Sequence, residues 1–214
     1  NIFSAISTNS QFLDEESCKN IILSGLNKII IPIEGWDEDS YVFFRRNGSL
    51  KNALKSINYL SKYKKELKKL TPIIEVQTIV FKSNEWHLDE IKKMAYCNGC
   101  DVFTTKTAYF KNPDKSEEFI PSDGYSRYLK NKNGEYSIKR VKRAGCWKMW
   151  STGVILWDGN ILPCCYDKKN KYILGNILKN DFENNIFRTK LSFLRKKIVK
   201  TRKNIDICGE CTEH

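Results

Sequence analysis

Residues 73–81, IIEVQTIVF, form a run rich in β-branched and other apolar side chains, start directly after Pro72, and read as a strand. Upstream, Leu50, Ala53, Leu54, Ile57, Leu60 and Leu67 recur at helical spacing and make the inner stripe of a long, lysine-faced helix that Pro72 ends. Further back, KIIIPI at 28–33 reads as a buried strand. Before it, Asp14-Glu15-Glu16 opens a helix in which Cys18, Ile21, Ile22, Gly25 and Leu26 keep the period, and Phe3–Ser7 alternates as a first strand. Downstream, Trp86–Ala95 is a third helix with Leu88, Ile91 and Met94 inward, and Asp101–Thr105 is a fourth strand. Strands separated by helices of this length imply right-handed crossovers and a parallel sheet covered by helices. Four such strands cannot close a barrel, and an open parallel sheet leaves an edge or a face to be covered. The sequence also reads from inside a strand, without an initiator methionine, so more chain is expected upstream.

From Tyr109 to Gly145 the apolar period is lost in segments such as KNPDKSEEFIPSDG and KNKNGE, which reads as a linker or surface excursion. Order resumes at Cys146. Val154–Trp157, Asp158-Gly159 and Asn160–Cys165 make a hairpin signal, since Asp-Gly readily takes the positive φ values of a tight two-residue turn. A basic helix is expected near Phe187–Val199, ahead of a terminal Cys208-Gly209-Glu210-Cys211 knuckle.

The 214 residues are 41% hydrophobic and 12% aromatic, ample for a buried core, and no apolar stretch is long enough to span a membrane. With no basic leader at its start, the chain is expected in the cytoplasm. Net charge is +12, which raises nucleic acid, anionic lipid or an acidic substrate as partners. The lysines are nevertheless spread along the chain, with clusters at Lys62–Lys69, Lys139–Arg143 and Arg188–Lys203 that read as the wet faces of amphipathic helices.

Eight cysteines in a lysine-rich chain without a signal peptide point to metal ligation rather than a disulfide framework. The informative set is Cys146, Cys164, Cys165, Cys208 and Cys211. A Cys-x-x-Cys knuckle lets two thiolates face one centre from a single turn, and the other thiols arrive from the hairpin and from the segment before it. A hairpin and one helix bury too little apolar surface to stand alone, so ligation would supply much of the folding energy. On spacing alone, structural zinc and an iron-sulfur cluster are equally admissible, and buried, unliganded cysteines are the plain alternative. Cys97 and Cys100 share the spacing, but Cys100 is expected in the core. The two histidines, His87 and His214, are read as surface residues, so no histidine base is assigned.

These residues also carry a resemblance. Cys146, Gly159-x4-Cys164 and Cys208-x2-Cys211, with the wording CWKMWSTGVILWDGNILPCCYDKKNKYILGNI, resemble the SPASM domain, the auxiliary-cluster module that follows the barrel of many radical S-adenosylmethionine enzymes. Independently, ISTNSQFL resembles the third strand end of that barrel, IIIPIEGWDEDSY the fourth and IEVQTIVFKSNE the fifth. The resemblance covers nearly the whole chain and implies an α/β fold: a partial (β/α) TIM-like barrel, strands 3 to 6, over residues 1–108, a linker at 109–145, and a small cysteine-rich α+β SPASM module at 146–214.

It implies one auxiliary 4Fe-4S cluster on Cys146, Cys164, Cys208 and Cys211, with Cys165 the substitute for Cys164. S-adenosylmethionine and a second 4Fe-4S cluster belong to an intact, longer form, in which the reduced cluster cleaves the cofactor and the resulting radical abstracts a substrate hydrogen. The strand-end residues Thr8, Asn9, Glu34, Gln77 and Lys106 are the cofactor-facing candidates. A ferredoxin or flavodoxin is the implied reductant, and the substrate, whether peptide, sugar or small molecule, is not specified. The chain departs from the pattern: it has no Cys-x3-Cys-x2-Cys loop and no Gly-Gly-Glu strand end, Pro32 and Glu34 replace Ser and Asp, Ser10 replaces Gly, and the sequence given shows no further cysteines after Cys211 for the family's two-cluster form, hence the single cluster expected. A competing class is a zinc-stabilised module whose basic helix, Phe187 to Lys203, contacts nucleic acid phosphates. It accounts for the charge and the knuckle but not for the strand-helix repeat.

Overall fold

A computed structural model describes residues 2–139, 146–179, 185–209 and 211. The chain divides into two compact units, residues 1–137 and 138–214.

In the first unit, β1 (Ala5–Ser7), β2 (Lys28–Pro32), β3 (Ile73–Val80) and β4 (Val102–Thr107) form one parallel sheet in the order β1-β2-β3-β4. The crossovers are α1 (Glu15–Leu23), α2 (Glu38–Phe44) with α3 (Leu50–Glu66), and α4 (Leu88–Cys97). Each helix starts where local chemistry dictates. The Asp14 carboxylate accepts the Ser17 N–H at 2.8 Å to cap α1, and Ser49 caps α3 in the same way. At α2, Asp37 and Ser40 form a reciprocal capping box.

Side chains alternate across a strand, so the sheet has two unlike faces. Ile29, Ile31, Ile74 and Val76 are fully buried in one core with Cys18, Tyr41, Ala53, Ile57, Leu60, Ile91 and Ala95 from the helices. The opposite face carries Lys28, Glu75, Gln77, Thr104 and Lys106. There the buried Glu75 carboxylate pairs with Lys28 and accepts hydrogen bonds from Thr104 Oγ1 (2.6 Å) and Gln77 Nε2 (3.1 Å). Burial opposes its ionisation, but Lys28 and Thr104 outweigh it and hold the carboxyl below its ordinary range.

Three expectations are corrected here. Helix α2 was not anticipated. The third helix begins later than Trp86, behind a short 3-10 turn at Glu85–His87, and Trp86 is exposed. Most of the segment read as a linker or surface excursion belongs to the first unit rather than linking two units: it holds a 3-10 helix at Asp114–Phe119 and the paired strands β5 (Tyr128–Lys130) and β6 (Tyr136–Ile138). It is organised by local side-chain bonds rather than by apolar period, as where Asp114 accepts the Tyr136 N–H at 2.8 Å. Residues 140–143 of the basic cluster and His214 lie outside the described residues.

The second unit has α5 (Lys148–Ser151), a three-stranded antiparallel sheet of β7 (Val154–Ile155), β8 (Asn160–Leu162) and β9 (Gly175–Asn176), then α6 (Asn185–Thr201) and α7 (Asp206–Gly209). The β7–β8 hairpin has a three-residue loop in place of the expected two-residue turn. The Leu156 carbonyl accepts the Gly159 N–H at 3.0 Å, the Leu156 N–H donates to Asn160 at 2.9 Å, and only Gly159 takes positive φ, at 83°. This is a type I turn closed by a glycine bulge. Strand β9, which sequence reading missed, locks onto that loop: Asn176 Nδ2 donates to the Asp158 carbonyl and to Asn160 Oδ1, each at 3.0 Å.

Candidate functional site

The cysteines of the second unit are placed by short local devices around a small core. The Cys146 carbonyl accepts the Met149 N–H at 3.1 Å, opening α5 and turning Met149 into a core shared with Leu194, Ile198 and Ile205. Cys146 and Cys208 both pack against this core. Cys208 sits in a turn in which its N–H donates to the Ile205 carbonyl (2.9 Å) and its own carbonyl accepts from the Cys211 N–H (3.3 Å).

Cys164 follows β8, where its Sγ accepts the Tyr166 N–H at 3.5 Å and its carbonyl the Asp167 N–H at 3.1 Å. The Asp167 carboxylate, itself buried, then accepts the N–H groups of Lys171 (2.9 Å) and Tyr172 (2.8 Å) and closes the loop that leads back to β9. The same loop is tied to α7, since Tyr172 donates its hydroxyl to Asp206 Oδ1 at 2.8 Å and Lys171 pairs with Asp206.

Four of the thiols act on one another electrostatically. Burial pushes the Cys208 thiol up to about 11 against the opposing pull of Arg202, with Cys211, Cys146 and Cys164 adding to the rise. Cys164 is likewise raised, by burial first and then by Cys165, Cys211 and Cys146. Cys165 is exposed, whereas Cys164 is half-buried and already accepts a backbone N–H at sulfur. Among the described residues, no group of three or more His, Cys, Asp or Glu side chains stands in the arrangement of metal-ion ligands. The donor set still suits a soft, thiolate-ligated centre: the four are thiols, drawn from three segments, half-buried, with a backbone N–H directed at one sulfur.

In the first unit the five strand-end candidates separate. Gln77 and Lys106 lie on the same polar face of the sheet, with Gln77 bonded to Glu75. Thr8 and Asn9 serve the turn after β1: Thr8 Oγ1 accepts the Ser10 N–H at 3.1 Å and Asn9 Oδ1 the Gln11 N–H at 3.3 Å. Glu34 is buried, and both carboxylate oxygens are taken by Arg45, at 2.7 and 2.9 Å. That bidentate pair, with Asn84 donating to the Glu34 carbonyl at 2.8 Å, gives Glu34 a bracing role at the strand end. Cys100 is in the core as expected, with its thiol pushed up to about 11 by burial and then by Asp101.

Sequence reasoning missed Asp167, Asn176 and Asp206, which organise the loop around Cys164. Their signal was present: Asp and Asn hydrogen-bond nearby backbone, and all three fall in or beside non-periodic segments.

Residues 146–212 match the SPASM family, an iron-sulfur cluster-binding domain. This match lies within the second unit, and for the chain as a whole the solved structures below show the fold. Among solved structures it is similar to anSMEcpe with bound AdoMet, at 16% identity and a TM-score of 0.60, covering 98% of this chain and 60% of that one. It is similar also to SuiB of Streptococcus suis bound to S-adenosylmethionine, at 15% identity and a TM-score of 0.60, over 99% of this chain and 53% of that one. A further structure of the same SuiB, bound to precursor peptide SuiA, matches at 14% identity and a TM-score of 0.60, with the same coverage. The chain thus spans roughly half to three-fifths of the length of these proteins. Comparison with curated protein sequences gave no match.

Proposed function

We propose that this chain is the C-terminal portion of a radical S-adenosylmethionine/SPASM enzyme that modifies a peptide. In this reading Cys146, Cys164, Cys208 and Cys211 hold an auxiliary 4Fe-4S cluster, and the four-stranded sheet is part of a (β/α) barrel. The observation that carries it is the coincidence of the SPASM match at 146–212 with four thiols that act on one another electrostatically. A cluster there supplies an electron-transfer centre when bound. The chain's own part is to position it: the Tyr166 N–H stabilises the Cys164 sulfur, Asp167 fixes the loop that follows, and the Met149 core seats both Cys146 and Cys208.

Cys164 is proposed over Cys165 because it is the half-buried thiol with an N–H donor. Gln77 and Lys106, on the polar face at the strand ends, are the proposed contacts for S-adenosylmethionine, with Thr8 and Asn9 shaping the neighbouring turn. No Cys-x3-Cys-x2-Cys occurs in these 214 residues, so the catalytic cluster is not assigned to them. A peptide substrate is favoured because solved neighbours are described with a bound Kp18Cys peptide and with the precursor peptide SuiA. An electron donor of ferredoxin or flavodoxin type completes the scheme. No described helix is long and apolar enough to cross a membrane.

Anaerobic reconstitution with iron and sulfide tests the reading in wild type and in Cys208→Ala/Cys211→Ala. The expected result is about four irons and four sulfides per chain with broad visible absorbance, lost in the double variant. A colourless protein holding about one zinc would instead favour the zinc-stabilised basic module.

A further inference from the structure

The C-terminal ends of the sheet strands carry a second feature, wholly within the first unit and separate from the cysteines. Phe81 directly follows β3, Phe110 lies just beyond β4, and α2, which follows β2, contributes Phe43 and Phe44. Phe44 stacks on Phe81 with ring centroids 4.6 Å apart, and Phe43 meets Phe44 edge-on at 5.0 Å. With Phe119 they line a cleft of about 610 Å³, whose rim also carries Asp39 and Arg46.

An adjoining cleft of about 340 Å³ shares Asp39, Phe43 and Phe44 and adds Trp36 and Asp37. Trp36 is held by stacking on His87, with ring centroids 3.7 Å apart at 12°, and its backbone N–H donates to Ser40 Oγ. Rings fixed in this way form a wall without further ordering on binding, which is what an apolar side chain of a ligand needs.

Charge distinguishes the two chambers. The smaller one carries carboxylates and no basic side chain, in a chain whose net charge is +12. Asp37 uses one oxygen to cap α2, accepting the Ser40 N–H at 2.8 Å, and Asp39 makes no ion pair among the described residues. His87 covers one face of Trp36 and lies within electrostatic reach of Asp37, so a cation is favoured by the open indole face and by direct pairing with Asp39. The larger chamber sets Arg46 beside Asp39, one charge of each sign over a phenylalanine wall, which leaves it to an uncharged side chain.

We propose that this double cleft is the reading site for the peptide: a phenylalanine-sized apolar side chain fills the phenylalanine chamber, and an adjacent lysine or arginine places its charge at Trp36, Asp37 and Asp39. The inference rests on the peptide reading above and names the residue types that the peptide must offer. Its location at the carboxyl ends of parallel strands is where such sheets bind ligands generally.

The test uses the full chain and two synthetic peptides, acetyl-Gly-Phe-Lys-Gly-amide and its norleucine counterpart, titrated at low salt while the Trp36 indole resonance is followed by NMR, assigned with Trp36→Phe. Asp37→Asn with Asp39→Asn removes the charge while asparagine preserves the helix cap. The expected result is a lysine peptide bound about three- to tenfold more tightly than the norleucine peptide, an advantage that added salt and the double variant both erase. Equal affinity for the two peptides, or a lysine advantage that survives the double variant, overturns the cleft while leaving the peptide reading in place. Failure of both peptides to move the Trp36 signal up to about 10 mM overturns the cleft too, and the enzyme reading is judged separately by iron reconstitution.

Discussion

The two units are held together by different physics. In the first, fifteen buried side chains from two strands, four helices and adjoining loops form one core among the described residues, so its stability comes from apolar area removed from water. In the second, the clustered core among the described residues is only Met149, Leu194, Ile198 and Ile205, with Ile161, Leu162 and Leu174 buried at the sheet, and polar interlocks around Asp158, Asn176, Asp167 and Asp206 tie these pieces together. A small unit built this way gains most from added cross-links, which the proposed cluster on its thiols would supply. The contrast teaches that the same chain can spend its sequence on periodicity in one half and on individual hydrogen-bonding residues in the other.

The largest expected effect breaks the comparison outright. Chelating iron from reconstituted protein should cost the second unit stability on the order of several kcal/mol and leave the first intact. Hydrogen exchange checks this: amides of β8 and α6 should lose protection while those of β2 and β3 keep it. The reverse asymmetry comes from Ile31→Ala, which removes a fully buried side chain from the centre of the sheet. That change is expected to destabilise the first unit by about 2–5 kcal/mol in denaturant titrations, without affecting the second unit's transition.

Gly159→Ala sharpens the contrast, since it removes no contact at all. Its Cβ would lie 2.8 Å from both Asn176 Oδ1 and Leu178 Cγ on a backbone held at φ 83°, and a loss of about 1–3 kcal/mol is expected in the second unit alone. The smallest effect is acidic. Lys171 and Tyr172 hold the Asp206 carboxyl down to about 2 from an ordinary value of 3.8. A depressed folded value means that the stabilisation is fully present above about pH 4 and is lost as pH falls toward about 2. Asp206→Asn should flatten that part of the second unit's acid-unfolding curve.

Much of the first unit was readable, because its strands and helices each bury one face and the burial period shows in the residues. The run 73–81 and the Leu50-to-Leu60 stripe are where the core lies. What escaped was short or non-periodic. Helix α2 has seven residues with one buried side chain, Tyr41, and its capping box is its clearest mark. Glu34 was legible as a strand-end carboxylate, but its partner Arg45 lies eleven residues on and meets it only through the fold. Ser10 stands where glycine was expected and takes φ 55°, with its hydroxyl bonded to the Asn9 carbonyl. For the cysteines, spacing named the set, while the distinction between Cys164 and Cys165 is one of exposure and of a donor at sulfur, which only the folded loop creates.

The plain order of the sheet, β1-β2-β3-β4, also sets a timetable for synthesis. Every strand pairs with its immediate successor, so each strand-helix unit can dock as soon as the next has left the ribosome, and the sheet grows residue by residue with the nascent chain. The cysteine unit has no such option. Its core joins Met149 to Ile205, and in the proposed cluster Cys146 waits for Cys208, so the earliest cysteine of the set stays exposed to solvent and oxidants until more than sixty further residues have been made.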